Sequence, residues 1–227
     1  MNFLDFSPVF MLDKNEPFEI KAIGVSEFNE TKKSDSFPKR QIEVRGEIKK
    51  VFEYAIWFDY DIQHLYELEH VWVYIGNDNS VIKVEGSFHG KYLNVENLDT
   101  KKCDLMENTH PIVFMQPGKH AILADKRLVR LIPDWYESCN EKAGINGVDI
   151  HEFFADKVSV DSCLQEKVKK YIREKYSFVP SMEFKDFIPD EKIYISWEEL
   201  KESIPERIEA ELRKVRECSL EDNGVKE

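Results

Sequence analysis

The sequence predicts a mostly β chain, an antiparallel β-sandwich with a C-terminal α-helical extension. Three observations predict it. Apolar and polar residues alternate with period two through much of the first two thirds. Turn signals such as NDNS and PGK cut that pattern into short segments, with no long helix between them. The last third then switches to the 3.6-residue spacing of amphipathic helices. These features place a β-sandwich over residues 1–135 and a mainly helical extension, packed on it, over residues 136–227.

The elements follow in order. FSPVFML is a short strand, broken after it by Asn15-Glu16-Pro17. EIKAIGVSEF is the next, followed by a polar loop from Asn29 to Arg40. RQIEVRGEIKKVFEYAIWFDYD then alternates over a long span: Phe52, Tyr54, Ile56, Phe58 and Tyr60 fall on one face, and Val51, Glu53, Ala55, Trp57, Asp59 and Asp61 on the other. LEHVWVYI is a strand ended by GNDNS, and VIKVEGSFHGKY pairs with it as a hairpin. HPIVFMQ, HAILA and RLVRLI add short strands. Val160 to Tyr176 is helical, with Asp161 as its N-cap and Leu164, Val168, Tyr171 and Ile172 as its apolar stripe. FVPSMEFKDFIPDEK is a proline-punctuated connection. Ser196 to Cys218 is a second helix, opened by a Ser196/Glu199 capping box and expected to kink or divide at Pro205. Its stripe of Leu200, Ile204, Ile208, Leu212 and Val215 is one-sided, which suits packing on the sandwich.

Composition narrows the function classes. Of the 227 residues, 42% are hydrophobic, enough for a sizeable core. The net charge of −12 disfavours nucleic acid and anionic membranes as partners, because both attract basic surfaces, and favours the concentration of cations. The first twenty residues lack a basic n-region and an unbroken apolar h-region, so no signal peptide is expected. No run approaches the roughly 18 apolar residues of a membrane span. The four cysteines are irregularly spaced without a CxxC, which predicts free thiols and a cytoplasmic location. GxSxG, HExxH, Walker and GxGxxG patterns are absent, and no cysteine has an activating neighbour in sequence.

The chemistry concentrates in DYDIQHLYELEH. Asp59 and Asp61 lie two apart at the end of one strand, and Glu67 and Glu69 two apart at the start of the next. His64 sits in the connection between them. In a hairpin, four carboxylates and an imidazole converge at one turn, and like charges so close need a compensating cation. Mixed carboxylate and imidazole ligands suit Mn, Fe, Zn, Mg or Ca. The alternative is an acidic sheet rim facing water. His89, His110 and His120 also adjoin turn signals at strand ends. His70 alternates onto the face of Leu68 and Trp72 and is a packing residue, and His151 lies in the linker.

QHLYELEHVWVYI resembles the GHRHDWEHVVVWV-type motif of the necrosis- and ethylene-inducing-like proteins, without a gap across the motif. His64 falls on the motif's first histidine, Glu67 on its aspartate and Glu69 on its glutamate. The resemblance implies a divalent cation at one end of a β-sandwich, with Asp59 or Asp61 as the upstream aspartate ligand. FHGKY is similar to the same family's histidine-glycine segment. HPIVFMQPGKHAI and the opening FSPVFMLDKNEPF resemble the related vacuolar protein-sorting-associated sandwich family. These islands span Phe6 to Ala124. Tyr66 stands for the motif's second histidine and Leu68 for its tryptophan, while Glu67 is one methylene longer than aspartate. The toxins are secreted, so a cation site carries over but a host-damaging activity does not.

Three functions are then open. The first is a metal-dependent hydrolase. Here His64, Glu67, Glu69 and Asp61 hold the ion, His89 or His120 acts as general acid/base, and Tyr66 bonds the substrate. The second is a non-catalytic module in which the ion anchors a small-molecule, sugar or lipid head-group ligand, with Trp57, Trp72 and Tyr92 available for stacking. The third is a scaffold with a stabilising ion, whose helices meet partners.

Overall fold

The computed structural model describes residues 2–37, 40–150, 154 and 156–221, the last three as backbone. His151 therefore lies outside the described residues. Among the described residues fourteen strands, β1 to β14, are formed by Val9–Asp13, Ala22–Phe28, Lys32–Lys33, Gln41–Ile42, Ile48–Tyr60, His64–Gly76, Val81–Phe88, Lys91–Asn94, Leu105–Met106, His110–Met115, Ile122–Leu123, Gly147–Val148, Phe184–Phe187 and Tyr194–Ser196. The α-helices among the described residues are α1 (Ser162–Tyr176) and α2 (Trp197–Glu221). No helix among the described residues is long and apolar enough to cross a membrane.

The larger sheet has the order β14-β2-β5-β6-β7-β8, with β12 added beside the start of β6. The smaller has the order β11-β10-β1-β13, with β9 beside β10. Both sheets are mixed. The long β5–β6 hairpin and its neighbours β2 and β7 pair antiparallel as expected, but β1–β10, β2–β14 and β6–β12 are parallel. Local hairpins account for the antiparallel pairs. The parallel ones join segments far apart in the chain, which turn chemistry does not specify.

Opposed residues in an antiparallel pair share a face. Phe52, Tyr54, Ile56 and Phe58 therefore share one face of the large sheet with Val73, Val71, Glu69 and Glu67. This face meets the small sheet. Gly86, opposite Val71, leaves room for Ile122, and an added Cβ would collide with that side chain. Phe6 stacks on Phe52, and Phe58 lies flat on His120, ring centroids 3.8 Å apart. Glu53, Ala55, Trp57, Trp72, His70 and Gly24 take the other face. There α2 packs on β2, and a Cβ at Gly24 would come within 2.9 Å of Leu200. Leu200, Ile204, Ile208, Leu212 and Val215 are all buried, as the one-sided stripe predicts.

Four local expectations fail. RLVRLI is not a strand. Asp125 caps it by accepting from Arg127 N, and Lys126–Leu131 winds as a 3-10 helix with Leu131 exposed. The helix from Trp197 runs unbroken through Pro205 to Glu221. The proline-punctuated connection supplies β13 to the small sheet, and the residues just beyond it supply β14 to the large one. VIKVEGSFHGKY, read as one strand, is a hairpin in itself. His89 (φ 47°) and Gly90 (φ 75°) form the two-residue turn between β7 and β8, with the paired positive φ of a type I′ turn.

Candidate metal centre

β5 leaves the sheet at Tyr60 and β6 returns at His64, so the connection is Asp61-Ile62-Gln63. The turn is held by Asp61 N donating to His64 O at 2.9 Å and by the Asp61 carboxylate accepting from Gln63 N at 2.6 Å. This geometry gathers Asp61, His64 and Glu67, each of which offers a ligand atom within 4.8 Å of the other two. His64 Nε2 lies 3.8 Å from Asp61 Oδ1 and 3.7 Å from Glu67 Oε2.

A backbone carbonyl orients the histidine. Its Nδ1 is 2.8 Å from the carbonyl oxygen of Tyr66. A carbonyl only accepts, so Nδ1 carries a hydrogen, and the nitrogen left to serve as a ligand when the ring is deprotonated is Nε2, which faces the carboxylates. A ring nitrogen bonded to a backbone carbonyl is the usual way to fix a metal-binding tautomer. Tyr66 itself has φ 54°, the one positive φ of a non-glycine residue inside a strand among the described residues. A bulky residue held there costs on the order of 1–3 kcal/mol and signals a local constraint. Its ring stacks on Trp57, centroids 4.9 Å apart.

The neighbouring charges are uneven. Asp61 is wholly buried, Glu67 is 22% exposed and His64 15% exposed in their side chains, so the group opens to solvent on one side only. Glu69, on the same face of β6 as Glu67, is buried and accepts from Ser87 Oγ. Burial first, then the Glu67 charge, pushes its carboxyl well above the ordinary carboxylate range. Burial also works to raise Asp61, but His64, Lys119 and His120 together hold it below its ordinary value. Lys119 is the residue the sequence reading missed. Its Nζ lies 2.7 Å from Asp61 Oδ2 with 11% of the side chain exposed. Burial would discharge this ammonium, yet Asp61, Glu67 and Glu69 keep it charged and raise its pKa. The signal was present in PGKH, a lysine in a turn beside one of the histidines.

The other candidates fall in different places. Asp59 does not share a face with Asp61, because the chain departs from extended geometry after Tyr60 and the two-residue rule stops applying. Asp59 accepts from Trp57 Nε1 at 2.9 Å and lines a cleft with Tyr60, Tyr176 and Glu211. His120 is fully buried, flat against Phe58, its Nε2 3.5 Å from Glu16 Oε1. His89 Nε2 lies 2.9 Å from Gln116 Oε1. His110 sits apart, its Nδ1 2.9 Å from the Ser7 carbonyl. His70 packs between Trp72 and Phe37, and Trp57 and Trp72 are buried. Tyr92 is 47% exposed and covers Arg40. The four cysteines are free thiols, and burial pushes that of Cys103 up to about 12.

Two oxygen donors and one tautomerically fixed imidazole fit Zn, Mn or a hydrated Mg or Ca ion. Comparison with family models, curated proteins and solved structures returns no match.

Proposed function

We propose that this chain is a divalent-cation-binding β-sandwich protein whose ion is held by Asp61, His64 and Glu67. The observation that carries this reading is the His64 imidazole. Its Nδ1 is committed to the Tyr66 carbonyl, and its Nε2 is aimed between two carboxylates. The fold part of the proposal takes the small sheet as the second layer, packed through Ile122, His120 and Phe6 on the inner face of the large one. That arrangement, with its site at one end of the central hairpin, is the one the necrosis- and ethylene-inducing-like resemblance implies. The free thiols fit a reducing compartment such as the cytoplasm.

An ion with three protein ligands on a partly exposed rim retains positions for water or an oxygen-rich ligand. A sugar or lipid head group could take them. A hydrolase reading rests on the same open positions, since a bound water there would be acidified. The buried positions of His120 and Tyr66 favour the binding reading over the catalytic one.

Calorimetric titration of the metal-stripped protein with Mn, Zn, Mg and Ca tests the proposal. One site is expected, lost in His64→Ala and in Glu67→Gln. A wild type that binds none of these ions, or variants that bind as it does, would refute it. Turnover of a generic ester by the loaded wild type would move the reading to the hydrolase.

A further inference from the structure

Asp61 and Glu67 carry two negative charges at the candidate centre, and in the structure the positive charge beside them is an amino group. We propose that Lys119 is the resident counter-ion of this centre, and that a divalent ion binds by exchange, expelling the ammonium from Asp61. The inference rests on the cation-binding reading and adds how that site is regulated.

Position carries the argument. Lys119 Nζ lies 2.7 Å from Asp61 Oδ2, and both side chains are withdrawn from solvent. An ion coordinated by Asp61 at about 2.0–2.5 Å would sit on the order of 5 Å from that ammonium. At such a distance, in a partly buried setting, the two cations repel strongly. Charge accounting points the same way. Two carboxylates and one ammonium leave one net negative charge. Two carboxylates and one divalent ion leave none. With both cations present the group is overcharged.

The part able to move is the lysine stem. Its backbone is pinned, because Gly118 O accepts from Ile62 N at 2.8 Å and Gly118 N donates to Glu16 Oε2 at 2.8 Å. Gly118 (φ 69°) and His120 (φ 60°) hold the turn in a left-handed shape on either side of Lys119. The loop therefore stays in place while a flexible four-carbon chain carries the charge in or out. Lys119 thus sets a threshold. A divalent ion binds with an affinity reduced by the cost of expelling it.

Lys119→Met separates this inference from the cation-binding reading itself. Titration of the metal-stripped variant with Mn or Zn is expected to show binding tighter than wild type by on the order of tenfold or more. Without metal the variant should melt at a lower temperature than wild type, and saturating metal should raise its midpoint by more than it raises that of wild type. Lys119→Arg keeps the charge and guards against a variant that fails to fold. It is expected to bind no tighter than wild type. Equal or weaker binding by Lys119→Met beside a wild type that does bind would overturn the exchange and leave the cation site standing. Tighter binding by Lys119→Arg would also overturn it. Binding by none of the three proteins would defeat both.

Discussion

The β5–β6 hairpin carries two charged clusters, one at its turn and one in mid-strand on the opposite face. In the mid-strand cluster Glu53 is fully buried and accepts from Ser34 Oγ, Ser36 Oγ and Trp72 Nε1 at 2.5–2.6 Å. Beside it Arg40 is clamped between the rings of Trp72 and Tyr92, 3.6 and 3.7 Å from their centroids, and pairs with Glu85. Glu85 also accepts from the Tyr74 hydroxyl and from Lys83. Both carboxylates there are met by several partners, with Ser34, Ser36 and Arg40 reaching over them. At the turn, by contrast, His64 Nε2 and Glu67 Oε2 come no closer than 3.7 Å, and the group faces water on one side. The same two strands thus hold a cluster whose carboxylates are spent on partners and a cluster with acceptor capacity to spare. Buried charge alone does not mark a site. Unspent coordination capacity does.

The largest effect is expected where the closed cluster is opened. Arg40→Ala removes the cation between Glu53 and Glu85 and the filling between two aromatic rings. Breaking one partner of a buried pair costs about 3–5 kcal/mol. Chemical denaturation should show a loss of that size, with divalent-ion binding at the turn unchanged. A loss below about 1 kcal/mol, the range of an exposed ion pair, would mean that the mid-strand cluster is as open as the other.

A pH series sharpens the same contrast. Burial, outweighing Ser34, Ser36, Trp72 and Arg40, raises the Glu53 carboxyl above its ordinary 4.5. The folded state therefore holds this proton more tightly than the unfolded chain. The resulting stability is fully present below pH 4.5 and declines as pH rises through the folded value. Glu53→Gln cannot titrate, and its amide nitrogen can face Ser36, whose hydroxyl is able to accept. Subtracting the variant's denaturation free energies from those of wild type between pH 4 and 8 should leave a difference that falls with pH. A flat difference would mean that the three donors fully offset the burial.

The sequence made the hairpin legible because its alternation is long and strictly two-residue, and Glu67 and Glu69 do share a face. It also placed His70 and Trp72 together as packing residues. It did not show β13 and β14, which are four and three residues long, half-exposed and flanked by prolines or a helix start. Their pairing is decided by β1 and β2, far away in the chain. Nor could alternation foresee that Asp59 and Asp61 part company where the strand ends. The candidate centre was half visible. Acids and histidines stood out as ligand types, whereas Lys119 and Arg40, the cations that answer the buried carboxylates, come from loops whose approach only the tertiary structure fixes.

The smallest stability effect is expected at His64, and it is the most telling. Its side chain is partly exposed, and its contacts with Asp61 and Glu67 are 3.7–3.8 Å long. His64→Ala gives up those contacts and the bond to the Tyr66 carbonyl, which the open side of the group lets water replace. A change within about 1 kcal/mol is expected by thermal or chemical denaturation of the metal-free protein. Divalent-ion affinity should fall far more, beyond the roughly 10–100-fold that loss of a merely supporting residue costs. A residue that matters little to the fold and decisively to the ion is what an open cluster predicts. If instead His64→Ala unfolds the protein as Arg40→Ala is expected to, the turn is held together by its imidazole, and the two clusters are structural alike.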